Sequence, residues 1–231
     1  MIETLVHQIE LNGLKFQYRE TGDASSPPLI ALHALGQDAQ SWDKVASELS
    51  RNYRVLALDQ RGHGGSERTD SYSFRLMRED LHLFADAMDL EQFTLVGHSM
   101  GGTVSYLFAE SYSSRLERLV VEDTPPPFSY RKIDIPSEPT DALAFDWLVV
   151  PSILRQLNEP NPEWWAHLTD ISAPTLIVGG GSTSKIPQNK LQEVAELIPS
   201  CELVIIEGAG HHVHRDNLSA FLDVVKRFLN V

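Results

Sequence analysis

One cysteine in 231 residues excludes any internal disulfide. Cys201 opens an apolar strand-like run, where a buried structural thiol is the expectation rather than a nucleophile. No apolar stretch approaches the length of a membrane span, and Met1 to Glu10 has no apolar core of signal-peptide length, so a cytoplasmic, soluble protein is expected. Basic residues are too few and too scattered to form a patch: 19 Lys and Arg against 32 Asp and Glu leave a net charge of −13. That balance argues against nucleic acid or an anionic membrane as a partner. No internal repeat and no low-complexity segment is found.

What is present suits one folded unit. With 42% apolar and 22% charged residues the chain can bury a substantial core as a single domain, with room for an insertion. Thr4–Leu11 and Leu14–Glu20 flank Asn12-Gly13 and read as a β-hairpin. Further short strands follow at 29–32, 53–58, 93–96, 116–121, 175–178 and 203–206, and helices at 41–50, after Ser73, at 188–198 and at 217–229. Ser73 is a helix cap ahead of a one-faced set, Phe74, Met77, Leu81, Phe84, Ala85 and Met88. Alternating strands and helices after a hairpin predict an α/β fold, a mostly parallel eight-stranded sheet with helices on both faces.

The stretch 124–171 breaks that alternation. It holds eight prolines and three of the four tryptophans, too apolar for a linker and too long for a simple connection. Short helical pieces around 141–150 and 152–157 predict a small helical cap over 124–171, inserted into a core formed by 1–123 and 172–231.

Chemistry concentrates at Gly97-His98-Ser99-Met100-Gly101. An apolar strand precedes it and a helical run follows, so the serine stands at the apex of a sharp strand-to-helix turn. Such a turn needs residues without Cβ two before and two after, and it aims the first helix N–H groups at whatever the serine attacks. A serine becomes a nucleophile only with a base, and the base needs a group to hold its tautomer. Gly208-Ala209-Gly210-His211-His212-Val213-His214 follows the last strand and offers the base, with His211, directly after the glycines, as the choice. A metal site from His211, His212 and His214 is the rival reading, but no nearby acid or cysteine spacing completes it.

These motifs together resemble the α/β-hydrolase fold family, over nearly the whole chain. His33-Ala34-Leu35-Gly36 is similar to its oxyanion turn, and Asp59-Gln60-Arg61-Gly62-His63-Gly64-Gly65-Ser66 to its Asp-x-Arg-Gly-x-Gly-x-Ser signature. The elbow and the terminal Gly-Ala-Gly-His follow in the family's order. The resemblance implies an oxyanion hole made by the Leu35 and Met100 N–H groups, a serine hydrolase activity, and no cofactor or metal. Two features depart from the family. Ala34 stands where glycine is usual, and the loop after the seventh strand, 179–187, carries no carboxylate for the triad acid. Some family members supply that acid after the sixth strand, where Glu122-Asp123 stands. Asp123 lies at the strand exit, whereas Glu122 alternates to the other face; a turn cap ahead of Pro125 is the plain alternative for Asp123.

The expectation is therefore a hydrolase of a small, mostly apolar ester, with Ser99 as nucleophile, His211 as base and Asp123 as acid. Phe128, Trp147, Leu148 and Trp164 are candidates for lining an acyl pocket under the cap. Carbon–carbon, lactone and thioester hydrolysis use the same serine arrangement, and a non-catalytic receptor for a small ligand is the reading from another class.

Overall fold

Asn12 and Gly13 take φ values of 50° and 79°, the two consecutive left-handed residues that close a tight hairpin with the twist of its strands. The computed structural model describes residues 3–129 and 132–231. In it this turn joins β1 (Thr4–Leu11) to β2 (Leu14–Thr21) as an antiparallel pair. Next come β3 (Pro28–Leu32), β4 (Arg54–Leu58), β5 (Phe93–His98), β6 (Leu116–Glu122), β7 (Thr175–Gly179) and β8 (Cys201–Ile205). These six are parallel to one another, and β2 meets β4 antiparallel. The order across the sheet is β1-β2-β4-β3-β5-β6-β7-β8, the mostly parallel eight-stranded sheet expected.

The helices are α1 (Asp43–Leu49), α2 (Phe74–Ala87), α3 (Met100–Tyr112), α4 (Val149–Asn158), α5 (Glu163–Ala166), α6 (Gln188–Leu197), α7 (Val213–Asp216) and α8 (Leu218–Leu229). Strand alternation divides the core into two layers. Ile30, Leu32, Leu95, Leu119, Val121 and Ile177 pack with α2, α3 and α6. Their neighbours Leu29, Ala31, Val96, Val120, Leu176 and Val178 pack with α1 and α8 on the opposite face. The Ser73 hydroxyl caps α2 by accepting the Leu76 N–H at 3.1 Å, and Phe74, Met77, Leu81, Phe84 and Ala85 are buried beneath that helix.

Because β3 has β4 on one side and β5 on the other, the connections reverse direction between β3 and β5. Crevices outside the carboxyl ends of strands form at such a switch point. Ser99 follows β5 and the His33 turn follows β3, so both candidate motifs open into it.

The expected helix over 141–150 is not formed. Residues 141–148 are extended or turn, and one helix, α4, runs from Val149 through the position expected for a second piece. The reason is a competing partner for the backbone. Gly64 N–H donates to Ala144 O at 3.2 Å and Asp146 N–H to Gly62 O at 2.7 Å, with an antiparallel bridge between His63 and Phe145. Asp146 then accepts the Leu148 N–H and the Tyr72 hydroxyl, fixing where α4 can begin. Pro151, within the first turn of α4, has no N–H that the helix would need there.

Candidate active site

The elbow is tight enough to dictate its residues. A Cβ on Gly97 would lie 2.3 Å from Ser105 Oγ, and one on Gly101 would lie 2.4 Å from Leu32 O. Ser99 between them is held at φ 52°, ψ −112°, a strained backbone for a residue with a side chain. Its Oγ is 3.0 Å from His211 Nε2, and His211 Nδ1 is 2.8 Å from Asp123 Oδ2. The three side chains singled out in the sequence, separated by up to 112 positions, are thus one hydrogen-bonded chain. With Asp123 accepting from Nδ1–H, Nε2 is left as the acceptor facing the hydroxyl, the tautomer a general base requires.

Asp123 is itself surrounded by donors. Besides His211 it accepts from Gly180 N–H at 2.8 Å, Ser184 Oγ–H at 2.5 Å and Gln188 Nε2 at 3.1 Å. Burial on its own would raise its pKa; the bonds from His211, Ser184, Gly180 and Gln188 outweigh that and hold the carboxyl below its ordinary value. The loop after β7, which lacks an acid, therefore supplies hydrogen-bond donors to the acid after β6.

The turn His33-Ala34-Leu35-Gly36 is braced by two neutral histidines. His33 Nε2 accepts the Gln60 N–H at 3.0 Å while its Nδ1–H donates to Ala34 O at 2.9 Å. His63 Nε2 accepts the Gly36 N–H at 3.2 Å and its Nδ1–H donates to Arg61 O at 3.1 Å. Burial lowers His33 to about 4 and His63 to about 3, so each ring keeps one acceptor nitrogen at neutral pH. Gly36 N–H is taken by His63 and Gln37 N–H by Ala34 O, leaving the Leu35 N–H just before them without such a partner among the described residues. Met100 opens α3, so its N–H has no acceptor one turn back in the helix. A bond from Gly101 N–H to His33 O, 3.2 Å, ties the two amide-bearing segments together.

The other terminal histidines go elsewhere. His212 Nδ1 accepts from Gln37 Nε2 at 3.3 Å, and His214 pairs with Glu122. Among the described residues, His98, Glu122 and His214 bring donor atoms of metal-ligating types within 4.8 Å of one another. Both Glu122 oxygens in that grouping accept from His214.

The expected pocket lining is scattered rather than gathered. Trp164 stands edge-on to Phe74 and borders a cavity of about 250 Å³ with Arg75, Arg78, Leu107 and Glu110. Leu107 and Glu110 lie seven and ten residues along α3 from Met100, roughly 10–15 Å from the elbow at 1.5 Å per residue. Trp164 thus faces a different cavity, a correction to its expected place, because α5 sets it against Phe74 at the start of α2. Phe128 packs edge-on to Trp165, with Lys190 Nζ 5.5 Å from its ring centre. Trp147 and Leu148 form the turn into α4, Leu148 being 51% exposed. The aromatic residue against the His33–Gly36 turn is instead Phe145, stacked on His63 at 5.6 Å, with a ring carbon 3.3 Å from where a Gly36 Cβ would be.

In the cavity beside Trp164, burial pushes Glu110 up to about 8, with Asp170 adding to the rise and Arg78 opposing it. The folded state then keeps a proton that the unfolded chain releases above its ordinary pKa of 4.5, so stability is lost as pH rises from there to about 8. Glu110→Gln is expected to stabilise the fold by roughly 2–4 kcal/mol at pH 9 and by under about 1 kcal/mol at pH 4. Urea melts at the two pH values check this; an equal effect at both would disprove the linkage.

A sequence profile described as alpha/beta hydrolase fold matches residues 27–149. The chain is 26% identical to the sn-1-specific diacylglycerol lipase ABHD11 of Mus musculus over 253 aligned positions, covering 90% of this chain and 82% of the relative. It is 25% identical to Esterase YbfF of Escherichia coli, covering 89% and 94% of the two chains. Among solved structures, E-2-(acetamidomethylene)succinate hydrolase superposes with a TM-score of 0.85 at 20% identity, covering 99% of this chain and all of the other.

Proposed function

The chain belongs to the alpha/beta hydrolase fold family, and from that premise we propose that it is a serine hydrolase cleaving a small, mostly apolar carboxylic ester through an acyl-enzyme intermediate. The observation that carries the reading is the unbroken chain of bonds from Ser99 through His211 to Asp123.

As Ser99 Oγ attacks the ester carbonyl, its proton passes to His211 Nε2, and Asp123 stabilises the resulting imidazolium through Nδ1–H. Charge gathers on the carbonyl oxygen, where the Leu35 and Met100 amides would receive it; one such donor is typically worth about 10²- to 10³-fold in rate. The imidazolium then gives its proton to the departing alkoxide. Water, deprotonated by the same histidine, attacks the acyl group and releases the acid with Ser99 restored. No cofactor enters any step. The 124–171 segment serves as the cap, and Phe145, held over the oxyanion turn, is better placed than Trp164 to meet the substrate.

Two relatives carry the names diacylglycerol lipase and esterase, which favours ester over carbon–carbon, lactone or thioester cleavage. A panel of p-nitrophenyl esters from acetate to decanoate, run beside a thioester, a lactone and a diketone on purified protein, tests the choice. Short and medium esters are expected to lead; a diketone or thioester turned over faster than every ester would reject it.

A further inference from the structure

Each of two catalytic candidates is preceded in the chain by a fully buried polar residue that faces the other way. Alternation sends His98 and Glu122 to the α1/α8 side of the sheet, in line with Val96 and Val120, and the two are register partners across β5 and β6. Polar groups removed from water this completely are costly unless bonded, so their partners matter. His98 Nε2–H donates to the main-chain carbonyl of His211 at 2.7 Å. Glu122 Oε1 accepts the His214 N–H at 3.0 Å, and Oε2 accepts from His214 Nδ1 at 2.7 Å. His214 in turn lies flat on Trp42, ring centres 4.4 Å apart.

The turn that carries His211 runs between two buried residues, Ala209 and Val213. Gly208 and Gly210 are both left-handed, at φ 75° and 68°, and a side chain added at Gly208 would touch nothing within 4 Å. Inward, Gly210 N–H reaches Gly180 O at 3.0 Å. Ala209 N–H bonds Ile206 O at 3.2 Å and Gln37 reaches the His212 ring, while His98 holds the main chain at residue 211 and Glu122 holds it at residue 214.

We propose that His98 and Glu122, with His214 between Glu122 and Trp42, are positioning residues that set the His211 ring against Ser99 and Asp123. The inference rests on the serine hydrolase reading above and extends it to groups that touch neither substrate nor the reacting atoms. A misplacement of about 1 Å can cost about 10²-fold in rate, which gives such a role its expected size.

Three substitutions test it: His98→Phe, which removes the donor; His98→Gln, whose side-chain amide can reach the same carbonyl; and Glu122→Gln, which gives up one of the two acceptors for His214. Measured are kcat and KM on a short ester, and the downfield proton resonance of the His211 Nδ1–H bonded to Asp123. His98→Phe is expected to lower kcat by about 10²-fold with KM within about twofold, and to weaken the resonance. His98→Gln should recover kcat to within about tenfold of the parent, and Glu122→Gln should lose about tenfold. A parent-like kcat and resonance in His98→Phe overturns the proposal, as does a His98→Gln no better than His98→Phe. If His98→Phe does not fold, judged by circular dichroism, Glu122→Gln decides, and parent-like kcat and resonance there overturn it. A parent protein with no Ser99-dependent turnover would instead sink the hydrolase reading, and the resonance in the same variants would still test the positioning.

Discussion

Ser99→Ala is expected to lower hydrolysis of short p-nitrophenyl esters by about 10⁶-fold, the order found when the nucleophile of a working triad is removed. Labelling by a fluorophosphonate probe should vanish with it. The size follows from the geometry: among the described residues Ser99 Oγ is the one hydrogen-bond partner of His211 Nε2, 3.0 Å away, at the end of the chain to Asp123. The substitution also reads the strain of the elbow. Alanine at φ 52° meets the same steric penalty as serine, whereas glycine does not. Ser99→Gly is therefore expected to be more stable than Ser99→Ala by about 1 kcal/mol, in thermal or urea melts, although both are inactive. Unchanged hydrolysis in Ser99→Ala would end the assignment of the nucleophile.

How far the sequence reveals this site depends on whether a feature is fixed by neighbours in the chain or by distant ones. The elbow is largely local: Ser105 and Gly101 require Gly97 within one strand-turn-helix unit, and Leu32 of the neighbouring strand β3 adds the requirement at Gly101, so the spacing exposes both glycines. The two-layer sheet is local in the same sense, because period-two alternation within each strand assigns Ile30 and Leu32 to one face and Leu29 and Ala31 to the other. The departures come from loops that meet across the fold. Residues 141–148 have helical composition, but the Asp146 N–H is claimed by Gly62 O and the Ala144 carbonyl by Gly64 N–H, some eighty positions earlier, and nothing within 141–148 announces that pairing. Phe145 reaches the His33–Gly36 turn by the same pairing, and nothing in its own stretch of sequence sets it above the nearby tryptophans. Ser184 and Gln188 were hidden for a related reason: a donor loop around a carboxylate has no motif of its own. The absence of an acid after β7 was the available signal, and its complement is that the loop donates instead.

The second large effect concerns that acid. Asp123→Asn is expected to reduce kcat by about 10⁴-fold, since an amide can offer its NH2 group to Nδ1 and so favour the wrong tautomer of His211. Glu122→Gln, one residue earlier, should cost only about tenfold through the position of the His211 segment. The contrast is set by which way each carboxylate faces. Asp123 Oδ2 meets His211 Nδ1 at 2.8 Å, whereas both Glu122 oxygens are committed to His214 on the opposite side of the sheet. Their electrostatics follow the same division. Burial opposes ionisation of Glu122, but the neighbouring His98 and His214 rings, with the two bonds from His214, hold it down to about 2. Asp123 owes its lowered pKa to donors of which His211 is the foremost, and its charge is therefore available when the imidazolium forms. Steady-state kinetics of the two variants on one ester at one pH separate the assignments. A rate within a few fold of the parent for Asp123→Asn, together with collapse in Glu122→Gln, would transfer the acid's role to Glu122 and require the His211 ring to turn through the sheet edge toward it.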